Sequence, residues 1–448
     1  MFDRGYVACG VLRKQPMLYV QDTHHVQVVW EMNCGMSNKD MILSYWPESS
    51  QSNSNTEKIT IGPIKPKVID SFHTLYRATI GPLIHTGPVH YTIDIVKKDR
   101  QKEGNNDDGI SSWNVLSKKR KTIAKYTFHW FADAKEKQEE PIRIAAMADN
   151  QFGLLTFSAI LRQIRKLPQR KQPHFLLHAG DAVQNYPSLR QWQTDFAAPL
   201  TAHNLIQRMP LIYAHGNHDY DPTGEYIYTR SQAADPWFSF SLGNNTARFI
   251  ILDSNLDWER QDQWLKDEIK SDLFKAAQFR IVVVHVPPFL EYWEPEAWFK
   301  LRQSEWGAFI KDRFVPLFEE GGVDLVISGH QHNYERGERN GISYAIIGGA
   351  GGDIDYEQVK DWGMYEAKLL DFHFVVLEFI PPAKTESGKM DSWSLHWEMF
   401  DVNGQKIDST VLIAKQQAST ASPLEQATID KTENILQAIA EGNTNQPL

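Results

Sequence analysis

The chain has 448 residues, 42% hydrophobic and 23% charged, with a formal net charge of −9. That length admits two or three domains with a real core, and the acidic balance argues against a nucleic-acid polymer as the main partner, although a metal site holds phosphate without a basic surface. Two cysteines, Cys9 and Cys34, exclude a disulfide framework and a thiolate zinc cage. One bridge between them is open to the chain; two free buried thiols are expected. No apolar stretch approaches the roughly 20 residues of a transmembrane helix, so no membrane span is expected. The first residues lack a long apolar run, so no signal peptide is read. The literal reading is a cytoplasmic protein; the alternative is a chain whose leader is missing.

The first 135 or so residues read as all-β. In "VQVVWEM" Val26, Val28, Trp30 and Met32 alternate on one face; in "HYTIDIV" Tyr91, Ile93 and Ile95 do, and in "YTFHW" Tyr126, Phe128 and Trp130. Period-two alternation predicts half-buried strands, and several short ones between polar loops predict a β-sandwich over 13–135. From residue 141 apolar strands alternate with helical patterns, the rhythm of an α/β domain over 141–415 with β-sheets flanked by helices. Leu154, Phe157, Leu161, Ile164 and Leu167 recur as a helical stripe facing the core. Further helices are predicted at roughly 259–276 and 303–319. Segment 392–414 predicts a hairpin turning at Asn403-Gly404. The polar tail 416–448 reads as helical or disordered.

Five apolar runs end in side chains that bind metals: Asp149 in "MADNQFG", Asp181 in "HAGDAVQ", Asn217 and His218 in "HGNHD", His285 in "VVVHVPP", and His330 with His332 in "SGHQHNYER". One Asp or His after a strand is more often a turn former or a core residue. Five in this order make coincidence a poor account. A carboxylate such as Asp181 can bridge two cations, with imidazole and oxygen donors completing both spheres. Mixed N and O ligands suit zinc, iron or manganese. Two such ions about 3.5–4 Å apart clamp the oxygens of a phosphoryl group. Gly180, Gly216 and Gly329 precede these ligands, as tight backbone approach requires.

The motifs "GD", "GNHD", "VVVH" and "GHQH", in this order, resemble those of calcineurin-like metallophosphoesterases. "GHQHNYER" is most similar to the form found in purple acid phosphatases. The β-rich first domain resembles the fibronectin type III-like N-terminal domain of that family, and the hairpin resembles its closing strands. The resemblance implies a dinuclear hydrolase of phosphate esters in which a metal-bridging hydroxide attacks phosphorus. Asp149, Asp181 and His332 would hold one divalent ion; Asp181, Asn217, His285 and His330 the second. His218 would meet the phosphate and protonate the leaving oxygen, with Asp219 orienting its ring. Tyr334 and Arg336 would lie behind the ligands or face the substrate, with plain packing and a surface ion pair as the competing reading. By the same resemblance the protein would be extracytoplasmic if a leader is missing.

Two positions depart from the family. The Tyr that colours purple acid phosphatases, three residues after the "GD" aspartate, is Gln184, and Tyr186 is out of step. The His of the alternative "DxH" form is Gln151, read here as the replacement ligand. Losing a phenolate disfavours a trivalent ion, so a pair of divalent ions (Mn, Zn or Fe) is expected. After His285 the family often carries further histidines. This chain instead has Tyr292, Trp293 and Trp298 with Glu291 and Glu294, which suggest a nucleotide or cyclic-nucleotide phosphodiesterase as a second reading. A degenerate domain kept for binding is the third. The expected partner is a small phosphoester; oligomeric state is open.

Overall fold

Branched and aromatic residues at alternate positions favour the pleated, half-buried strand, and this chain is built mainly of such strands. The computed structural model describes residues 9–34, 39–48, 58–97, 120–133, 139–223, 225, 228–230, 235–255, 258–292, 306–383 and 391–415. Glu294, Trp293, Trp298 and the tail 416–448 lie outside the described residues.

The N-terminal part forms a sandwich. One sheet pairs Ile59–Ile61, Lys39–Pro47, Gly87–Lys97 and Arg120–Trp130 in that order; the other contains Leu12–Asp22, His25–Met32, Thr74–Ile80 and Lys67–Val68. Between them pack Leu18, Val28, Trp30, Leu43, Tyr91, Ile93 and Phe128. Trp30 stacks on Tyr76 with ring centroids 5.6 Å apart. The half-buried expectation fails for His25–Met32, where Gln27, Val29 and Glu31 on the second face are buried as well. The cause is tertiary: Met17, Tyr19, Val29 and Leu75 pack against Trp192, Phe196, Leu200 and Ile206 of the following domain. Glu31, taken out of water there, is paired with Lys14 and with Arg13 at 3.3 Å, as a buried charge requires.

Cys9 and Cys34 are disulfide-bonded, which corrects the expectation of free thiols. The bonds Gly10 N–H to Asn33 O (3.1 Å) and Asn33 N–H to Val11 O (2.9 Å) hold the two chain segments side by side, with the cysteine Cα atoms 5.3 Å apart.

The second part places two sheets face to face. Ile142–Met147, Phe175–His178 and Leu211–Tyr213 run parallel, flanked on one side by His373–Ile380 and the closing hairpin Ser394–Asp401 and Lys406–Ile413. Leu211 also pairs with Tyr19, so this sheet continues into the N-terminal strands as one ten-stranded sheet among the described residues. The facing sheet, seven-stranded among the described residues, has Phe279–Val283 and Leu325–Ser328 parallel near its middle. Ile144, Ala146, Leu177 and Ile212 from one sheet meet Ile281, Val283, Leu325 and Ile327 from the other.

The helix Leu154–Lys166 buries Phe157, Ile160, Leu161 and Ile164, while Leu154 is exposed rather than part of the stripe. The helix expected at 259–276 is two, Trp258–Glu268 and Asp272–Ala276, because the Ser271 hydroxyl caps the second by accepting the Phe274 N–H at 3.1 Å. Helical structure from Trp306 to Gly321 passes through a π turn at Ile310–Phe314. No described helix is long and apolar enough to cross a membrane.

Candidate active site

Each expected ligand follows a parallel strand, and the strands belong to two sheets. Asp149, Asp181 and Asn217 come from the first sheet; His285, His330 and His332 from the second. At the strand ends the chain turns sharply: Asp149, Asp181 and His330 have φ of 62°, 57° and 68°. This left-handed conformation is uncommon outside glycine and tolerable for Asp and His. Glycine makes the close approach possible. A Cβ on Gly216 would lie 2.0 Å from Asp181 Oδ1, and one on Gly329 2.4 Å from Asp149 Oδ2.

Asp181 sits between two groups of side chains. Its Oδ2 is 3.3 Å from His285 Nε2 and 3.3 Å from Gln151 Nε2, while its Oδ1 accepts the His218 backbone N–H at 2.9 Å. On one side the Asn217 carbonyl oxygen lies 3.0 Å from both His285 Nε2 and His330 Nδ1. The donor atoms of Asp181, His285 and His330 all fall within 4.8 Å of one another. On the other side His332 Nε2 is 3.3 Å from Gln151 Nε2 and 3.7 Å from Asp149 Oδ1. Backbone carbonyls hold two of the rings: His285 Nδ1 faces Ala179 O at 2.8 Å and His332 Nδ1 faces Asp353 O at 2.8 Å. Both rings therefore turn Nε2 inward, the way a metal-binding imidazole is oriented.

The electrostatics fit cations. Burial drives Asp149 well above the usual carboxylate range, with His285 opposing and Asp181 adding to the rise. Burial would lower His285, yet the Asp181 and Asp149 carboxylates push it up to about 10. For Asp181, burial is outweighed by His285, and the acid ends below its ordinary value. The site thus demands positive charge beside its carboxylates. Asp149 Oδ1 and Gln151 Oε1 are buried without a hydrogen-bond partner. Leaving such atoms unpaired is costly, and mixed carboxylate, amide and imidazole donors suit a divalent transition metal. Ligation by Gln151 through Oε1 needs its amide turned over, since Nε2 faces Asp181 and His332.

One expected role is corrected, and for two residues the competing reading holds. Asp219 does not orient the His218 ring, whose Nδ1 pairs instead with Gln184 O at 3.0 Å. The Asp219 carboxylate accepts the backbone N–H groups of Asp181 (2.7 Å), Ala182 (3.0 Å) and Gly216 (3.1 Å) and the Tyr213 hydroxyl (2.6 Å). It ties the "GD" loop to the "GNHD" loop. Tyr334 is buried and donates to Asp408 at 2.7 Å while accepting from Trp397 at 2.8 Å. Arg336 grips the same Asp408 through two nitrogens at 2.7 and 3.1 Å. Both tie the strand Tyr334–Arg339 of one sheet to Lys406–Ile413 at the edge of the other. Tyr186 is also taken, its phenol bonded to Asp221.

Sequence reasoning missed several supports. Asn150 links His178 Nε2 (2.8 Å) to the carbonyls of Ala182 and Asp195. The run "GGAGGDID", 348–355, lies along the His332 side: a Cβ on Gly352 would be 2.6 Å from the His332 ring, and Asp355 accepts the His332 N–H at 2.7 Å. Its glycine density directly after a strand is the signal that could have exposed it.

Behind the histidines, Gln331 donates to Glu335 at 2.6 Å and its carbonyl accepts the N–H groups of Glu291 and Tyr292. Burial, with Glu291 adding to the effect, raises Glu335 from 4.5 to about 8. Between these values the fold keeps a proton that the unfolded chain has released, so stability falls as pH rises. Glu335→Gln is therefore expected to gain stability relative to the parent between pH 5 and 9, reaching roughly 1–3 kcal/mol at the upper end. Thermal melts across that range check it; a difference that does not change with pH would show Glu335 ionised in the fold.

Residues 142–334 match the calcineurin-like phosphoesterase family. The serine/threonine-protein phosphatase CPPED1 of Mus musculus is 27% identical over 263 residues, covering 50% of this chain and 80% of that protein. Purple acid phosphatase 5 of Arabidopsis thaliana is 29% identical over 183 residues, 39% of this chain and 40% of its own length. Among solved structures, a purple acid phosphatase from yellow lupin superposes with a TM-score of 0.64 at 16% identity, over 90% of this chain and 74% of that one, and so shares the fold of an N-terminal β domain with a phosphoesterase domain. Residues 142–334 therefore carry a calcineurin-like phosphoesterase domain, and the phosphatase relatives support a hydrolase of phosphoric esters.

Proposed function

We propose that the protein hydrolyses small phosphate esters at a pair of divalent cations. The observation that carries this reading is the place of Asp181 Oδ2, at 3.3 Å from a side chain of each ligand group. Asp149, Gln151 and His332 would hold one cation, Asn217, His285 and His330 the other, with Asp181 shared. Bound there, the ions neutralise phosphoryl charge and make a water molecule more acidic. The chain's own part is positioning. His218 is fixed by its backbone N–H on Asp181 and its Nδ1 at Gln184 O, which leaves Nε2 for an ester oxygen. With no Tyr at 184 and Tyr186 held by Asp221, the phenolate at the family's position is missing, and a colourless divalent protein is expected.

Elemental analysis with a visible spectrum, then turnover of p-nitrophenyl phosphate and bis-p-nitrophenyl phosphate with manganese or zinc, tests the reading. His218→Ala is expected to keep its metal and lose roughly 10²–10⁴-fold in kcat, the range for a lost general acid. Metal loss in that variant would reassign the residue, and a strong tyrosinate absorption would overturn the divalent pair. Faster turnover of the diester would favour a phosphodiesterase, and turnover of neither would favour a binding protein. The Cys9–Cys34 bond supports an oxidising compartment for the working protein.

A further inference from the structure

We propose that Phe152 and Tyr356 form an apolar rim at the solvent side of the metal-ligand cluster and grip an aryl leaving group of the phosphoester, a specificity that rests on the hydrolase reading above. Phe152 is 64% exposed and has φ of 67°. A bulky aromatic in the left-handed region, held out in water, is strained without any packing reward, and such strain gathers at functional sites. It directly follows Gln151, which touches Asp181 and His332. Its backbone is pinned: Gly153 donates to Asn150 O at 3.2 Å and abuts Gly351 so tightly that a Cβ on Gly153 would lie 2.1 Å from Gly351 O. Gly352 then donates to Asp149 O at 2.7 Å, which fixes the glycine run beside this turn.

That run leads to Asp355, which both accepts the His332 N–H and donates to His332 O at 3.2 Å. The next residue is Tyr356, 70% exposed. The two aromatics thus stand one residue from two separate contacts of His332. Its side chain is 17% exposed while that of His285 is fully buried, so this is the open edge of the cluster. Singly exposed apolar residues are ordinary. Two exposed aromatics, each next in the chain to a residue that contacts His332 and one of them on strained backbone, offer what offset or edge-on contact with a bound ring needs. The rim suits one ring rather than the roughly 800 Å² that a protein partner covers.

The test compares phenylphosphonate with methylphosphonate by titration calorimetry on manganese-loaded protein, and p-nitrophenyl phosphate with glycerol phosphate in turnover. Phe152→Ala and Tyr356→Ala, each checked for an unchanged melting temperature, are expected to weaken phenylphosphonate roughly 3–10-fold and to raise KM for the aryl ester alike. Methylphosphonate affinity and glycerol phosphate kinetics should stay unchanged. Equal losses for both phosphonates, no loss for either, or no binding of phenylphosphonate by the parent protein overturns the rim. A parent that binds both phosphonates but turns over neither ester defeats the hydrolase reading instead, while the affinity ratio still decides the rim.

Discussion

Asp181→Asn is expected to abolish turnover, with a loss of at least about 10³-fold, because a metal pair supplies several kcal/mol of transition-state stabilisation and each 1.36 kcal/mol is tenfold. The substitution is nearly isosteric. Its remaining oxygen can still accept the His218 N–H that Asp181 Oδ1 now takes at 2.9 Å, so the loop is expected to stay in place. What changes is the charge at the atom lying 3.3 Å from His285 and from Gln151. An amide is a poor ligand to two cations at once. Elemental analysis should show the metal content falling to one ion per chain or fewer. A variant that keeps both ions and more than a tenth of the activity would sink the bridging role.

Asp219→Ala should act on the fold first. Asp219 is fully buried, and its two oxygens accept three backbone N–H groups within 3.1 Å and the Tyr213 hydroxyl. Burial, with Asp181 adding to it, raises this acid to about 6 even so. Alanine would strand all four donors in the interior. Each orphaned group costs about 1–3 kcal/mol, and partial relaxation brings the sum to roughly 3–5 kcal/mol. Denaturant unfolding measures it. Activity should fall with stability, since the bonds lost hold the turns bearing Asp181 and Asn217. Had Asp219 served only to orient the His218 ring, the same change would lower kcat and leave stability nearly untouched; that pattern would contradict the present geometry.

The site was partly legible because its chemistry is local. Asp149, Asp181, His285 and His330 each follow an apolar run of strand period, and glycine marks the close approaches at 180, 216 and 329. The strand-to-turn transition depends on neighbouring residues, so pattern alone places it. Asp219 shows the limit. It stands next to His218 in the chain, and adjacency suggested partnership. The partners of a buried carboxylate are instead whichever N–H groups the fold leaves unpaired nearby, here on a loop 36–38 residues earlier. For Tyr334 and Arg336 the sequence left two readings open, and the packing of the two sheets, which brings both to Asp408, 72–74 residues on, decides for packing and an ion pair.

The sequence by itself determined the candidate-ligand types, their order at five strand ends, the absence of a family Tyr at 184 and the β-then-α/β division of the chain. All of these follow from residue identity and short periodicities. Only the tertiary structure decided that the ligands come from two facing sheets and that both faces of His25–Met32 are buried. The same holds for the Cys9–Cys34 bond and for the glycine run 348–352 shaping the His332 side of the site. Each of these depends on contacts between segments far apart in the chain, which local periodicity does not encode.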